Sequence, residues 1–387
     1  MPNLAEYALC TGCTACVSAC PKNCLAMLPD ENGFAHPAMI RADACVACGL
    51  CEAVCPIQRR SERGAKPRAF AAYSRDSELR EHSSSGGIFS ELARVFLAEG
   101  GAVYGAAYDE EFRVVHICAE SEAALAALRG AKYAQSDLTG VFREVRDRLT
   151  KGQQVLFSGT PCQVGGLKTF LGKEYPNLLT VDFVCHGVPS PMAWEQFVAH
   201  MAKDGAITAI NLRSKETGWS RYRYSNAFFY GDGRRVLLSS GESLYMKLFV
   251  GDCINRESCQ NCRFKGAARP SDITLGDFWG IWETAPEMDD DRGTSMVLVQ
   301  SAFGQKMMER INSRLVCREL SVADTLRRNP SAVVSSPASP LRSMVLEQVR
   351  AGRIGSCGEL LERYRPTLMQ KFCRKVRKAL RLLTNRA

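Results

Sequence analysis

The stretch "CTGCTACVSACPKNC", residues 10–24, places five cysteines within fifteen positions. Its first four cysteines follow the pattern C-x2-C-x2-C-x3-C-P, and the same pattern returns 35 residues further along the chain. The repeated cysteines are Cys10, Cys13, Cys16 and Cys20 in the first copy, and Cys45, Cys48, Cys51 and Cys55 in the second. The prolines that follow, Pro21 and Pro56, match as well. An internal repeat built on thiol spacing predicts a pair of equivalent metal-binding loops.

This spacing resembles that of bacterial ferredoxins, in which three close cysteines bind one 4Fe-4S cluster and the fourth binds the other cluster. By that rule the first cluster takes Cys10, Cys13, Cys16 and Cys55, and the second takes Cys20, Cys45, Cys48 and Cys51. Structural zinc and redox disulfides are the alternatives, but zinc sites pair two C-x2-C knuckles across a longer gap. Residues 1–60 are therefore predicted to form a two-cluster ferredoxin domain, with Cys24 as a buried core thiol.

The size of the chain bears on the role of its cysteines. A chain of 387 residues can bury a full core, so its 18 cysteines do not indicate a small disulfide-stabilised secreted domain. Residues 1–10 contain neither a basic region nor an apolar run typical of a secretory signal. We therefore predict a reducing, cytoplasmic compartment. No run of about 18 apolar residues is present, so a membrane-spanning helix is not expected.

The positive charge is concentrated at one end of the chain. The formal net charge is +9, yet residues 361–387 alone contain nine Lys or Arg and one acid, Glu362. The body is nearly neutral, so nucleic acid is not an expected partner. Residues 346–387 are predicted to form a basic amphipathic helical tail whose apolar stripe contains Met369, Phe372, Val376, Leu380 and Leu383. Such a helix packs on its own domain, or it makes peripheral contact with an anionic membrane or an acidic partner.

The region after the cysteine repeat reads as an α/β protein. Residues 61–68, "SERGAKPR", are polar and predict a linker. From residue 69, strand-like runs such as "AFAAY" and "QVLFSG" alternate with helical patterns, which predicts a mixed sheet. We divide this body into residues 69–150 and 151–345, with a more antiparallel region after Ile207. Neither G-x-G-x-x-G after a strand nor a Walker A pattern is present, so no Rossmann site or P-loop is predicted.

Two loops rich in Gly or Ser open predicted helices. In "SSSGGIFSEL", residues 83–92, free N–H groups at the helix start could bind an anion, although ordinary helix capping explains the loop equally well. In "SGTPCQV", residues 158–164, Cys162 lies at a helix N-terminus, where a thiolate is stabilised. Cys162 is therefore a ligand, a reactive thiol or a buried one.

A third group of cysteines lies in "CINRESCQNC", residues 253–262, with the spacing C-x5-C-x2-C. Cys253, Cys259 and Cys262 predict a third 4Fe-4S cluster, in the C-terminal part of the body, whose fourth ligand is either Cys185 or Cys162. Structural zinc with His186 is the rival interpretation, since a C-x2-C pair suits both metals.

Seven motifs of the body occur together in one order. They are "SSSGGIFSELA" (83–93), "KYAQS" (132–136), "FSGTPCQVGGLKTFL" (157–171), "VDFVCHGVPSP" (181–191), "KETGWSRY" (215–222), "CINRESCQNCRFK" (253–265) and "SDITLGDFWG" (271–280). Through them, about residues 66–340 resemble the coenzyme F420 hydrogenase/dehydrogenase beta-subunit family. The resemblance implies a mixed-sheet flavin-binding domain that binds FAD without a Rossmann fingerprint.

The resemblance also implies which residues contact the flavin: Ser85, Gly86, Gly87, Lys132, Tyr133, Gln135 and Ser136. A basic residue and free N–H groups suit a diphosphate, and a cation suits a reduced flavin anion. The alternative for Lys132 is an ordinary solvated lysine. Asp277 and Trp279 are placed at a strand end, where ligand sites of α/β sheets gather or where an aromatic side chain simply packs. Lys215 and Trp219 fit the family without an assigned role.

The predicted function is that of an iron–sulfur flavoprotein oxidoreductase. It passes electrons between a hydride carrier, such as coenzyme F420 or NAD(P)H, and one-electron carriers through FAD and 4Fe-4S clusters. The implied partners are a hydride-carrying small molecule and a redox partner protein, either a ferredoxin or an enzyme complex. The alternative is a non-catalytic electron-transfer subunit of a larger redox complex.

Overall fold

The two cysteine loops follow the same backbone path. In the computed structural model, which describes residues 2–59 and 66–364, Gly12 and Thr14 have left-handed φ angles of 68° and 67°. The matching positions of the second loop, Ala47 and Gly49, have φ angles of 50° and 70°. Left-handed residues at alternating positions turn the N–H groups of a loop toward its interior. The repeat in the sequence is therefore also a repeat in the structure.

Helices and strands alternate along most of the body, as the sequence pattern predicts. The strands are β1 (Leu25–Pro29), β2 (Ala35–Met39), β3 (Arg68–Ser74), β4 (Ala102–Tyr108), β5 (Val114–Ala119), β6 (Val155–Gly159), β7 (Leu178–Phe183), β8 (Ile207–Ser214), β9 (Ser225–Tyr230), β10 (Arg235–Ser239), β11 (Ile273–Asp277), β12 (Ser295–Val299) and β13 (Leu315–Leu320). The α-helices are α1 (Ala15–Ala19), α2 (Leu50–Ala53), α3 (Ser77–Glu81), α4 (Ile88–Ala98), α5 (Glu122–Leu128), α6 (Val141–Thr150), α7 (Pro161–Leu171), α8 (Pro191–Met201), α9 (Leu244–Val250), α10 (Ile281–Thr284), α11 (Ala302–Ile311), α12 (Val322–Leu326), α13 (Arg342–Arg350) and α14 (Cys357–Arg363).

A mixed sheet of eight strands forms the centre of the body, in the order β13-β3-β12-β11-β7-β6-β4-β5. Strands β3, β4, β6, β7 and β11 run in one direction, and β5, β12 and β13 run in the other. Strands β8 to β10 form a separate antiparallel sheet, and β1 pairs with β2 in the N-terminal domain. The predicted fold class, a ferredoxin-like domain followed by a mixed-sheet domain, is confirmed.

Helices cover both faces of the large sheet. On one face, Ile88, Leu92 and Phe96 of α4 recur every four residues and are buried in the core with side chains of α11. Full burial of such a side chain contributes about 1.5–3 kcal/mol to stability. Helices α6 and α7 cover the other face. No helix among the described residues is long and apolar enough to cross a membrane.

The ferredoxin domain packs directly on the second face of the body. Cys13 and Ala15 belong to the same buried cluster as Phe142 of α6. The guanidinium of Arg143 donates from Nε to the carbonyl oxygen of Ser18 at 2.7 Å. The two regions therefore share a core. Strand β3 begins at the last residue of the predicted linker, and residues 60–65 and 365–387, with most of that linker and the predicted amphipathic helix, lie outside the described residues.

The strands that run in one direction all end at one edge of the large sheet. Their last residues are Ser74, Tyr108, Gly159, Phe183 and Asp277. Ligands of α/β sheets bind at this edge because the loops that leave it can diverge around a ligand. Three of the motifs named above contain such a strand end: "FSGTPCQVGGLKTFL" at β6, "VDFVCHGVPSP" at β7 and "SDITLGDFWG" at β11.

Candidate functional site

Four thiols surround a first cavity, which lies within the ferredoxin domain. The space, including the part open to solvent, is about 390 Å³ and is lined by Cys10, Cys13, Cys16 and Cys55 together with apolar side chains such as Met27 and Ile57. Burial raises the pKa of Cys16 to about 12, and the neighbouring thiols of Cys10 and Cys55 add to the increase. The structure thus brings the last cysteine of the second run to the first three of the first run. Thiols so buried ionise only next to a strong positive charge, which iron supplies.

The second group of predicted ligands lies nearer the surface. Cys45 and Cys48 are exposed. Burial raises the pKa of Cys51, and the Cys20 thiol is close enough to Cys51 to add to this increase. The N–H group of Cys24 donates to Cys20 Sγ at 3.2 Å. Burial alone would raise the pKa of Cys20, but hydrogen bonds from backbone N–H groups, that of Cys24 first, bring it below its ordinary value. N–H···S hydrogen bonds of this kind stabilise the thiolate that iron requires.

Four more thiols line a second cavity, of about 460 Å³ including the part open to solvent, deeper in the body: Cys162, Cys185, Cys259 and Cys262. Cys162 lies in the first turn of α7, whose N-terminus is fixed by a capping box between Thr160 and Gln163. Cys185 follows the end of β7, and the N–H group of Val188 donates to Cys259 Sγ at 3.3 Å. Burial raises the pKa of Cys162, Cys185 and Cys259 to about 12.

Three cations face this second cavity. Arg256, Lys265 and Arg269 line it together with the thiols. Lys265 Nζ donates to the carbonyl oxygens of Cys185 at 2.5 Å and of Ser331 at 2.6 Å. Such fixed cations favour ionised thiols and a negatively charged group inside the cavity.

The structure does not bring Cys253 to this cavity, contrary to the expectation from the C-x5-C-x2-C spacing. Cys253 is only 1% exposed and packs in the hydrophobic core that contains Cys357, with Sγ 3.3 Å from Ser339 Oγ. Both residues proposed as alternative fourth ligands, Cys162 and Cys185, lie in the cavity instead. The reason is that Cys253 follows helix α9 into the core before the chain turns at Glu257–Asn261 toward the cavity.

His186, the proposed zinc ligand, is occupied by other groups. Its Nε2 is 2.8 Å from a carboxylate oxygen of Asp252, and its Nδ1 is 3.2 Å from Ser331 Oγ. Within residues 2–59 and 66–364, no three His, Cys, Asp or Glu side chains have the arrangement needed for one metal ion.

The two cavities are adjacent. Thr11 lines both of them, and its buried hydroxyl has no hydrogen-bond partner among the described residues. Burial raises the pKa of Cys13, and the Cys162 thiol is close enough to Cys13 to raise it further. Helix α7 approaches the ferredoxin loop at Gly166, where a Cβ atom would lie 2.8 Å from Cys13 Sγ. The two thiol-lined cavities are therefore neighbours, with Thr11 in the wall of both.

The loop before α4 is held tightly against β12. The N–H group of Gly86 donates to Ser295 Oγ at 2.9 Å, and a Cβ at Gly86 would lie 2.4 Å from the carbonyl oxygen of Ala72. Ser85 Oγ donates to the carbonyl oxygen of Thr294 at 3.0 Å, and Gly87 begins the helix with φ of 85°. These contacts account for the Ser and Gly residues of the loop through close packing against the neighbouring strands. A flavin contact of Ser85, Gly86 and Gly87 stays a prediction.

The "KYAQS" segment divides between two regions. Lys132 Nζ donates to the carbonyl oxygens of Ala127 and Arg129 at 2.8 and 2.6 Å, and burial lowers the pKa of Lys132 to about 7. Gln135 instead accepts a hydrogen bond from Arg256, which lines the second cavity. Ser136 accepts one from Gln163 in the first turn of α7. The structure thus places Lys132 and Tyr133, but not Gln135 and Ser136, toward the edge of the sheet.

Arg213, which the motifs did not single out, is the most unusual group at this edge. It is 4% exposed, and its Nη1 is 2.8 Å from Asp277. Its guanidinium lies 3.8 Å from the ring centre of Tyr224 and 5.1 Å from that of Trp279. Its Nε and Nη2 have no hydrogen-bond partner among the described residues. An arginine inside the strand-like run "AITAINLRS" was the available signal.

Aromatic rings connect this edge to the second cavity. The ring of Tyr133 is 5.1 Å from that of Phe249, and Phe249 is 5.2 Å from the ring of His186, which lines the cavity. Tyr133 in turn lies 3.5 Å from Arg213 Nη1. These contacts therefore join the second cavity to the cationic, aromatic edge of the sheet.

Comparisons with known proteins agree with this division. The 4Fe-4S dicluster domain model matches residues 9–58. The models for the N-terminal and C-terminal parts of the coenzyme F420 hydrogenase/dehydrogenase beta subunit match residues 69–143 and 152–324. Among curated proteins no match was found. A chain of the F420-reducing [NiFe] hydrogenase complex from Methanosarcina barkeri is similar at 15% identity and a TM-score of 0.47, over 78% of this chain and 92% of that chain.

Family models thus match both the cysteine-rich N-terminal region and the body of the chain. The chain belongs to the coenzyme F420 hydrogenase/dehydrogenase beta-subunit family and carries a 4Fe-4S dicluster domain at its N-terminal end.

Proposed function

We propose that this chain is a cytoplasmic iron–sulfur flavoprotein oxidoreductase that exchanges hydride with a small carrier and single electrons with a protein partner. The observation that carries the proposal is the adjacency of the two thiol-lined cavities, which share Thr11 as a common wall. Electrons move efficiently only between centres that are close together, and a chain of centres from the surface to a buried site has no other evident use.

Three 4Fe-4S clusters fit the three groups of thiols. The first would be held by Cys10, Cys13, Cys16 and Cys55, the second by Cys20, Cys45, Cys48 and Cys51, and the third by Cys162, Cys185, Cys259 and Cys262. Each of the two cavities is lined by four cysteines, which is the ligand set of a 4Fe-4S cluster. The unpartnered hydroxyl of Thr11 is a ready hydrogen-bond donor to cluster or thiolate sulfur.

FAD fits the sheet edge by its chemistry. The two unpartnered guanidinium donors of Arg213 suit the carbonyl oxygens or the anionic form of a flavin ring, and Lys132 and Lys215 supply further positive charge. When bound, FAD would accept a hydride and release its two electrons one at a time. Deletion of these donors should therefore weaken flavin binding.

The chain's own residues then have definable tasks. Asp277 holds the guanidinium of Arg213 in place at 2.8 Å. Burial lowers the pKa of both Lys132 and Lys215 to about 7, so either ammonium can hold or release a proton near neutral pH. The rings of Tyr133 and Phe249 lie between the edge and the proposed third cluster site.

The partner is proposed to dock beside the second cluster site. Cys45 and Cys48 are exposed, as are the apolar side chains of Val46 and Leu50, so a centre there would be accessible to a ferredoxin or to another subunit. This observation equally favours the second candidate function, a non-catalytic electron-transfer subunit of a larger complex.

Anaerobic purification followed by iron, flavin and rapid-mixing measurements tests the proposal. We expect FAD, about twelve iron atoms per chain, and a change in the flavin spectrum on mixing with one of coenzyme F420, NADH or NADPH. Iron without flavin, with activity only after addition of a partner complex, would support the electron-transfer subunit. Zinc with neither iron nor flavin would refute both.

A further inference from the structure

We propose that Arg256 is a counter-ion shared by the first and third clusters, which holds both reduction potentials up together. The inference rests on the proposed occupancy of the two cavities. It assigns to one side chain the electrostatic link between the ferredoxin domain and the body. Arg256 is a positioning and tuning residue, since it touches the walls of both sites rather than a substrate.

Arg256 is placed between the two cavities by contacts on every side of its guanidinium. It is 2% exposed and lines the cavity of the third cluster. Its Nε donates to the carbonyl oxygen of Cys10 at 2.7 Å, and its Nη1 donates to Gln135 Oε1 at 2.9 Å. Its Nη2 is 3.0 Å from the ring of His36. The cation is thus fixed against a ligand loop of the first cluster while it faces the third.

Arg256 is unusual because no carboxylate pairs with it. Other buried arginines have such a partner: Arg80 lies 2.6 Å from Asp290, Arg213 lies 2.8 Å from Asp277, and Arg269 lies 4.0 Å from Asp182. Among the described residues no Asp or Glu oxygen is within ion-pair distance of Arg256. His36 cannot compensate the charge, since an imidazole is either neutral or positively charged, and the nearby carboxylate of Asp30 is 3.7 Å from the His36 ring rather than paired with the guanidinium. A buried, unpaired cation is costly, so a negative charge must be supplied by another group.

The clusters supply that charge. A 4Fe-4S cluster with four thiolate ligands is an anion, and each one-electron reduction adds one negative charge without any change in the ligands. Because Arg256 stabilises the reduced state of both neighbours, it raises both potentials. Arg269 and Lys265 line the second cavity as Arg256 does, but their hydrogen bonds go to carbonyl oxygens of the body, and only Arg256 donates to the loop of Cys10. We therefore expect Arg269 and Lys265 to act on the third cluster alone.

The test is an anaerobic redox titration of the full chain with dithionite, followed by EPR, with iron content as a second readout. Arg256→Gln should shift the reduction equilibrium of the first and third clusters at least tenfold toward the oxidised state, which is about 59 mV for each one-electron couple. Arg256→Lys should stay close to wild type. The second cluster is the internal reference and should move least.

A second variant leaves the arginine in place. Gln135→Glu is nearly isosteric and sets a carboxylate against the guanidinium, so it should lower both potentials in the same direction as Arg256→Gln. The matched control is Arg269→Gln, which removes a buried cation that lines the second cavity and donates no hydrogen bond to the loop of Cys10. It should change the potential of the third cluster and leave that of the first unchanged.

The outcomes separate this inference from the proposed function. Three clusters in the wild-type chain, with first and third potentials unmoved in both Arg256→Gln and Gln135→Glu, would overturn the inference and leave the function intact. The same holds if Arg256→Gln loses iron and Gln135→Glu titrates as wild type, since Arg256 would then be merely structural. Absence of a third cluster from the wild-type chain would refute the function as well.

Discussion

The ligands of the proposed third cluster provide the sharpest test, because spacing and geometry select different cysteines. We expect Cys162→Ser to abolish the third cluster, since Cys162 lines the cavity with Cys185, Cys259 and Cys262. We expect Cys253→Ala to leave it intact, since Cys253 Sγ faces Ser339 Oγ inside a hydrophobic core. The two variants are matched, because each removes one buried thiol.

The magnitudes follow from the surroundings of each thiol. Loss of one cluster of four irons should reduce the iron content from about twelve to about eight atoms per chain in Cys162→Ser. In Cys253→Ala the iron content should not change. Removal of one buried side-chain atom, with the small cavity that it leaves, should lower the free energy of unfolding by about 1–2 kcal/mol.

Iron analysis, EPR of the reduced protein and anaerobic urea unfolding measure these changes. A third cluster lost in Cys253→Ala and retained in Cys162→Ser would refute the geometric argument and restore the assignment expected from the C-x5-C-x2-C spacing. Replacement of Cys357, another buried thiol of the same core, is the control for indirect loss of iron through destabilisation.

Three further predictions concern the other sites. Cys20→Ser should damage the cluster of Cys45, Cys48 and Cys51 and spare the other ferredoxin cluster, which EPR of the reduced variant will distinguish. Arg213→Met should lower the flavin content at least about tenfold at unchanged iron content, because it removes the two unpartnered buried donors; equal flavin in variant and wild type would contradict this. Burial lowers the pKa of Lys132 from 10.5 to about 7, so between these values the unfolded state binds more protons and stability rises with pH. Lys132→Met should abolish that part of the rise between about pH 7 and pH 10 in anaerobic urea unfolding, and an identical rise in the variant would disprove it.

Much of the architecture was predictable because it depends on local patterns. The period of apolar residues in α4 and the short apolar runs that became β3, β4, β6 and β7 predicted a mixed sheet covered by helices. The cysteine repeat predicted two loops of the same shape, and the matching left-handed residues of both loops agree. Such features were accessible because one segment of chain contains all the residues that produce them.

The site was less predictable wherever it combines distant segments. "KYAQS" reads as one motif, yet Lys132 lies toward the sheet edge while Gln135 contacts Arg256. Arg213 belongs to an ordinary strand of the small sheet, and its role depends on Asp277, which follows it by more than sixty residues. The pattern of apolar residues in the sequence cannot predict that a guanidinium has two donors without a partner.

Thiol spacing alone was sufficient to predict the ferredoxin clusters, because a compact loop fixes the positions of three ligands and the repeat supplies the fourth. The thiols that line the second cavity, where we propose the third cluster, are brought together by tertiary structure. They come from the start of α7, the end of β7 and the turn at Glu257–Asn261. Whether such thiols converge depends on sheet order and helix packing, and these same long-range contacts place Cys253 in a core and Arg256 between two cavities. The spacing of cysteines along the chain does not predict these long-range contacts.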